Sequence, residues 1–362
     1  MIPIVKPFLP NETALIDPLK QILYSGYIAE GEATYKFENE LSLLLDNPYC
    51  ISLNSGTAAL HIALMLIGVG KDDEVISTAL TAEPTNTTIA LTGAKVVFAD
   101  VEYDTGLISP DAIEANITKR TKAIMVVHYA GMVCDMDRIN EISKKYNIPV
   151  IEDAAHAFMA KYNNKYVGSN SPYTCFSFQA IKHLTTIDGG LLCLKGEEEY
   201  LRAKRLRWFG LDKKVPRLES NITEAGYKYH MNNVNATIGL AQLQHLDQNV
   251  LMYIENGKFF DEHLVNISGL TLIPYHKNTE PSYWLYTMKV DRRDEFIKMM
   301  ADHGIAASPL HLRNDKHQVF DAQNVHLPNL DKFYNEFVHI PCGWWVNHED
   351  RAKIVEVIKK GW

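Results

Sequence analysis

Between about residue 35 and residue 200, short apolar runs alternate with helical patterns. CISLN (50–54) leads into TAALHIALMLIGVG, and DEVIST (73–78) leads into TTIALTGA; VVFADV (96–101), KAIMVVH (122–128) and IPVIEDAA (148–155) follow. Strands of this length, punctuated by helical segments, build an α/β sheet rather than a sandwich. The stretch from Thr57 to Ile67 is apolar almost all round, which predicts a helix buried between layers.

Near residue 250 the pattern changes. NVLMYIENGKFFDEHLVN reads as a long amphipathic helix leading from the sheet domain to a C-terminal one. There SYWLYTMKV (282–290), DEFIKMMADHGI (294–305) and DRAKIVEVIKKGW (350–362) predict a small α+β layer. The expected division is a large domain over 1–250, with an N-terminal arm, and a small domain over 251–362.

A chain of 362 residues with 46% hydrophobic content can bury a core of that size. Its formal net charge of -8 and short basic clusters, such as RAKRLR (202–207), argue against a nucleic-acid partner, which needs a concentrated basic face. The five cysteines are widely spaced, form no CxxC pair, and mostly sit in apolar strands, as reduced structural thiols do. No metal site is expected. The N-terminus lacks a basic start followed by a long apolar run, and no run of 18 apolar residues occurs, so the expectation is a cytoplasmic protein without a membrane span.

Three stretches at strand ends carry polar residues that could do chemistry. NSGTAAL (54–60) joins a strand end to a helix start, where backbone N–H groups and the hydroxyls of Ser55 and Thr57 suit an anion, although Ser before a helix also serves as a simple cap. VIEDAAHAF (150–158) puts Asp153 at the carboxyl end of an apolar strand, where open α/β sheets bind ligands; a helix-capping Asp is the competing reading. His156 beside it suits a packed histidine as well as a ligand contact. FSFQAIKHLTTIDGG (176–190) places Lys182 between an aromatic run and a Gly-Gly turn.

Taken singly each stretch says little, and a lone lysine is usually a solvated charge. Together, a phosphate cradle, a carboxylate and a lysine suit pyridoxal 5′-phosphate (PLP). The lysine must be an amine able to bond the aldehyde, which burial favours by lowering its pKa. The aspartate pairs with the pyridine nitrogen and keeps the ring an electron acceptor.

The same stretches, with SGYIAEG (25–31), TGAKVVFADV (92–101), DMDRI (135–139) and GYKYHMNNVNATIGLAQL (226–243), resemble the DegT/StrS-like nucleotide-sugar aminotransferases nearly end to end. The resemblance implies a fold-type I PLP-transferase: a large domain with a mostly parallel central sheet flanked by helices, and a smaller C-terminal α+β domain. It implies that Gly56, Thr57 and Ser177 contact the cofactor phosphate, Asp153 the pyridine nitrogen, and His156 the region of the ring hydroxyl. Lys182 aligns with the Schiff-base lysine. Asn232 aligns with an asparagine that reaches the phosphate from the neighbouring subunit, which implies a homodimer with active sites at its interface. Tyr27, Tyr229, His230 and Arg313 fall where the family meets its substrate. The implied reaction moves an amino group from L-glutamate to a keto group of a nucleotide-linked sugar.

Three departures stand out. Ala82 occupies the place of an aromatic residue that often stacks on the pyridine ring, Ile187 precedes Asp188 where glycine is common, and His230 replaces a frequent arginine. A dehydratase class of the family carries histidine in place of the lysine, and Lys182 argues against it. A nicotinamide oxidoreductase lacks its G-x-G-x-x-G, since GVGKDD (68–73) has no third glycine. A non-catalytic PLP-fold protein is opposed by the joint presence of Asp153, Ser177 and Lys182.

Overall fold

The computed structural model describes the chain apart from residues 170, 321, 323 and 324. Its centre is a seven-stranded sheet in the order Cys50–Leu53, Gly190–Leu194, Tyr173–Ser177, Val150–Asp153, Thr121–Val127, Glu74–Thr78, Lys95–Ala99. Every neighbouring pair is parallel except the two made by Gly190–Leu194, which runs antiparallel to Cys50–Leu53 and to Tyr173–Ser177. Helices cover both faces of such a sheet, which is why these strands are apolar runs rather than alternating ones. Ile51, Leu53, Ile124, Met125, Val126 and Ile151 are fully buried.

The helix Gly56–Ile67 is sealed at both ends. Ser55 Oγ accepts from the Ala58 amide at 3.1 Å, and Gly68 closes the other end at φ 78°, a left-handed conformation that glycine adopts without strain. Its side chains are buried almost throughout, as its apolar composition predicts.

A second sheet pairs Tyr286–Val290 with both Leu270–Leu272 and Phe337–Ile340, all antiparallel. The helices Arg293–Asp302 and His348–Lys359 pack with it around Phe260, Met288, Phe296, Ile340 and Ile354. The expected boundary near residue 250 falls inside one continuous helix, Leu246–His263. Leu246 and Val250 belong to the core of the large sheet, Tyr253 and Phe260 to that of the small one.

Two segments cross between these units. Residues 1–6 touch the smaller one, where Ile2 bridges Ile305 and the indoles of Trp345 and Trp344 donate to the carbonyls of Pro3 and Lys6 at 2.9 and 3.2 Å, while Ile4 and Val5 pack on the core of the large sheet. Conversely, Phe320, Leu330 and Phe333 join the core of the large sheet, where the Asp100 carboxylate accepts from the amides of Asn329 and Leu330. Among the described residues no helix is long and apolar enough to cross a membrane. The cysteines are buried and unbonded.

Candidate active site

The carboxyl ends of the parallel strands open into a cleft of about 320 Å³, the position where open α/β sheets bind ligands. Gly56, Thr57, Asp153, His156, Ser177 and Lys182 all line it. They come from three strand ends that are far apart in sequence.

Asp153 closes its strand with the side chain almost fully buried. Its Oδ2 accepts from the Thr85 hydroxyl at 2.7 Å, and Oδ1 accepts from the Ala155 amide at 3.1 Å. Burial pushes its pKa up, while the Thr85 hydroxyl, the Ala155 amide and the nearby Lys182 charge pull it back. Such a carboxylate is held in place and awaits a cationic partner to offset its desolvation.

At the other end of the cleft, the first turn of Gly56–Ile67 presents backbone amides that have no partner within the helix. Close packing demands glycine here. A Cβ on Gly56 would lie 2.9 Å from Ser177 Cβ, and one on Gly190 would lie 2.3 Å from the Ser55 carbonyl oxygen. Ser55 Oγ accepts from the Ala58 amide and Ser177 Oγ from the Gln179 amide at 3.3 Å, so both hydroxyls, like that of Thr57, keep an O–H to donate to an anion.

Lys182 sits on the connection between Tyr173–Ser177 and Gly190–Leu194. Burial lowers its pKa to about 7, with the Asp153 charge opposing that shift. Its Nζ lies 3.9 Å from the centre of the Trp284 ring. His156 stacks on the same indole, with ring centroids 3.9 Å apart and planes inclined by 22°. The His156 Nδ1 accepts from the Ala130 amide at 3.3 Å, so the neutral ring carries its proton on Nε2 and can donate to an oxygen anion. Burial, reinforced by the Lys182 charge, drives the His156 pKa well down and keeps the ring neutral.

The remaining predicted residues lie outside the cleft lining. Asn232 caps the helix Asn233–Leu243, accepting from the Asn235 amide at 2.9 Å. Tyr27 is exposed. Tyr229 shares a 3.1 Å hydrogen bond with His61 and stacks on Tyr227, and His230 packs edge-on against Trp208. Arg313 is buried in an ion pair, an engagement the sequence leaves open beside a substrate contact: its Nε donates to Asp315 at 2.6 Å and its Nη1 to Asp331 at 2.5 Å.

Sequence reasoning missed Thr85, Trp284 and His311. Thr81 and Thr85 are four apart across the start of the helix Glu83–Leu91 and share a 2.7 Å hydrogen bond, a spacing visible in LTAEPTN. His311 lines the cleft from the HLRND segment (311–315), the stretch that marks Arg313 as a substrate contact. Ala82 also lines the cleft, whose ring side chains are Phe176, His156 and His311. Ile187 adopts φ 71°, which explains why glycine is the common residue there.

Residues 11–359 match the DegT/DnrJ/EryC1/StrS aminotransferase family. The chain belongs to that family. Aminotransferases of the DegT/DnrJ/EryC1/StrS family use PLP, and this chain is one of them. It is 32% identical to the spore coat polysaccharide biosynthesis protein SpsC of Bacillus subtilis, over 97% of this chain and 96% of SpsC. Among solved structures, AtS13 from Actinomadura melliaura superposes with a TM-score of 0.97 at 38% identity, covering 100% of this chain and 99% of AtS13. The sugar aminotransferase CalS13 from Micromonospora echinospora gives 0.96 at 33%, covering 100% of both chains. The cleft fits PLP on its own terms: an amine, a carboxylate and a glycine-lined helix start converge in one cavity, with a neutral imidazole donor between them.

Proposed function

We propose that this aminotransferase moves an amino group from L-glutamate to the keto group of a nucleotide-linked sugar, at C-4 of a 4-keto-6-deoxyhexose, to supply surface polysaccharide such as O-antigen. The reaction is placed in the cytoplasm. The observation that carries the reading is the convergence of Lys182, Asp153 and the Gly56–Ser177 contact on one cleft. Likeness to CalS13, which is a sugar aminotransferase, and to SpsC, which serves polysaccharide biosynthesis, supports a sugar as acceptor.

When bound, PLP supplies the carbonyl that carries the amino group and a ring that accepts electrons. The chain's own residues do the rest. The amides of Gly56 and Thr57, with the Ser177 hydroxyl, hold the phosphate, and Asp153 faces the ring nitrogen with a carboxylate fixed by Thr85 and Ala155. His156 donates from Nε2 toward the ring hydroxyl. A Lys182 amine with a pKa of about 7 exists in both protonation states near neutrality, so it can take a proton from one carbon and return it to another within reach. Asn232 completes the phosphate site of the partner subunit in a homodimer, and Tyr27, Tyr229 and His230 serve the substrate from the same interface.

The test is to incubate the purified enzyme with PLP, glutamate and a panel of nucleotide keto-sugars, and to identify the products by mass and by NMR. A 4-amino sugar is expected. A 3-amino product moves the position of attack, and no product from any sugar overturns the reading.

A further inference from the structure

Lys182 is bracketed by one short segment that leads into the strand Tyr286–Val290. On one side, the indole Nε1–H of Trp284 donates to the carbonyl of Ile181 at 2.9 Å; on the other, the His183 imidazole donates to the carbonyl of Ser282 at 3.0 Å. Residues 282–285 are themselves pinned to the large domain, with the Ser282 amide donating to Gly131 at 3.0 Å and the Leu285 amide to Ala130 at 3.3 Å. The approach is so close that a Cβ on Gly131 would lie 2.8 Å from the backbone nitrogen of Trp284. Trp284 is 1% exposed, and Lys182 Nζ rests 3.9 Å from its ring centre.

We propose that Trp284 is a positioning residue for the Lys182 amine: its ring face is the seat of the ammonium whenever the amine is not covalently engaged, and its N–H fixes the turn that carries it. The proposal rests on the reading of Lys182 as the cofactor-bearing lysine. An indole face attracts a cation, more strongly where water is excluded. The seat therefore opposes the desolvation that drives the amine toward neutrality, and returns the amine to one place after each release. Asp153, His156, His183 and His311 also face Lys182, and all four remain when Trp284 is replaced, although His156 then loses the indole it stacks on.

The test uses the apoprotein, produced with lysine labelled with carbon-13 at the ε position, and follows the Lys182 signal, identified by its loss in K182R. In the wild type the ε protons should resonate upfield of the other lysines, displaced by the indole ring current. W284F should retain part of that displacement, because it keeps a ring face but loses the N–H that fixes the turn. W284L should lose it, and its Lys182 should titrate about one pH unit lower. Near-UV circular dichroism checks that W284L is folded, and the wild-type signal stands without it. A wild-type Lys182 signal among those of exposed lysines, or a W284L signal like the wild type's, overturns the seat. Borohydride reduction of the PLP-loaded enzyme followed by peptide mapping tests Lys182 itself; label on another lysine defeats that reading and leaves the apoprotein measurement intact.

Discussion

The hydroxyl of Thr85 lies 2.7 Å from Oδ2 of Asp153 and joins the first turn of one helix to the end of a strand 68 residues away. A hydrogen bond to a buried charge contributes roughly 1.5–3 kcal/mol. Thr85→Val keeps the shape and removes the donor, so it should weaken PLP binding about tenfold; Thr85→Ser should restore it. Equal PLP affinity in the valine variant and the wild type, measured by titration of the apoprotein, would refute this role.

Ile187 holds φ 71°, where a β-branched side chain is strained by about 1–2 kcal/mol. The side chain is 47% exposed, so little packing compensates. Glycine loses more entropy on folding but accepts the conformation freely. Ile187→Gly should therefore raise the melting temperature, by ~2 °C. A lower melting temperature would mean that Ile187 packs against something outside this subunit.

The depressed pKa of Lys182 has a consequence for stability. A group whose folded pKa is about 7 rather than 10.5 binds fewer protons folded than unfolded between those values, so stability rises with pH across that window. Below pH 7 the cost of the buried amine is fully present. The apoprotein of Lys182→Met should melt higher than the wild type at pH 6, by ~5 °C, and the gap should close toward pH 10. A gap independent of pH would contradict the shift.

If the proposed homodimer is isologous and Asn232 reaches across it, two damaged subunits can form one intact site. Lys182→Ala and Asn232→Ala proteins, each impaired alone, should regain up to about a quarter of wild-type activity when mixed and allowed to exchange subunits. No gain over the sum of the separate activities, with exchange verified by mass, would place Asn232 in its own subunit's business only.

Much of the site was legible before the fold was known. The strand ends at Asn54, Asp153 and Ser177 follow from apolar runs that stop at polar residues, and α/β topology brings such ends to one edge of the sheet. Other features needed contacts between distant segments. In HLRND, Arg313 reads as a phosphate contact or as a member of an ion pair; Asp315 stands beside it in the motif, but Asp331, eighteen residues on, meets it only through folding. Trp284 reads as one more apolar residue in SYWLYTMKV, with nothing in its spacing to tie it to Lys182.

The sequence by itself determined the α/β class, the family, and the lysine, aspartate and glycine of the cleft, because periodicity and short motifs are local properties of the chain. Only the tertiary structure decided that Thr85 steadies Asp153, that the indole of Trp284 underlies Lys182, and that Asp331 joins Asp315 on Arg313. Those relationships are distances between segments scores of residues apart or, for Arg313, between neighbouring turns, and packing alone sets them.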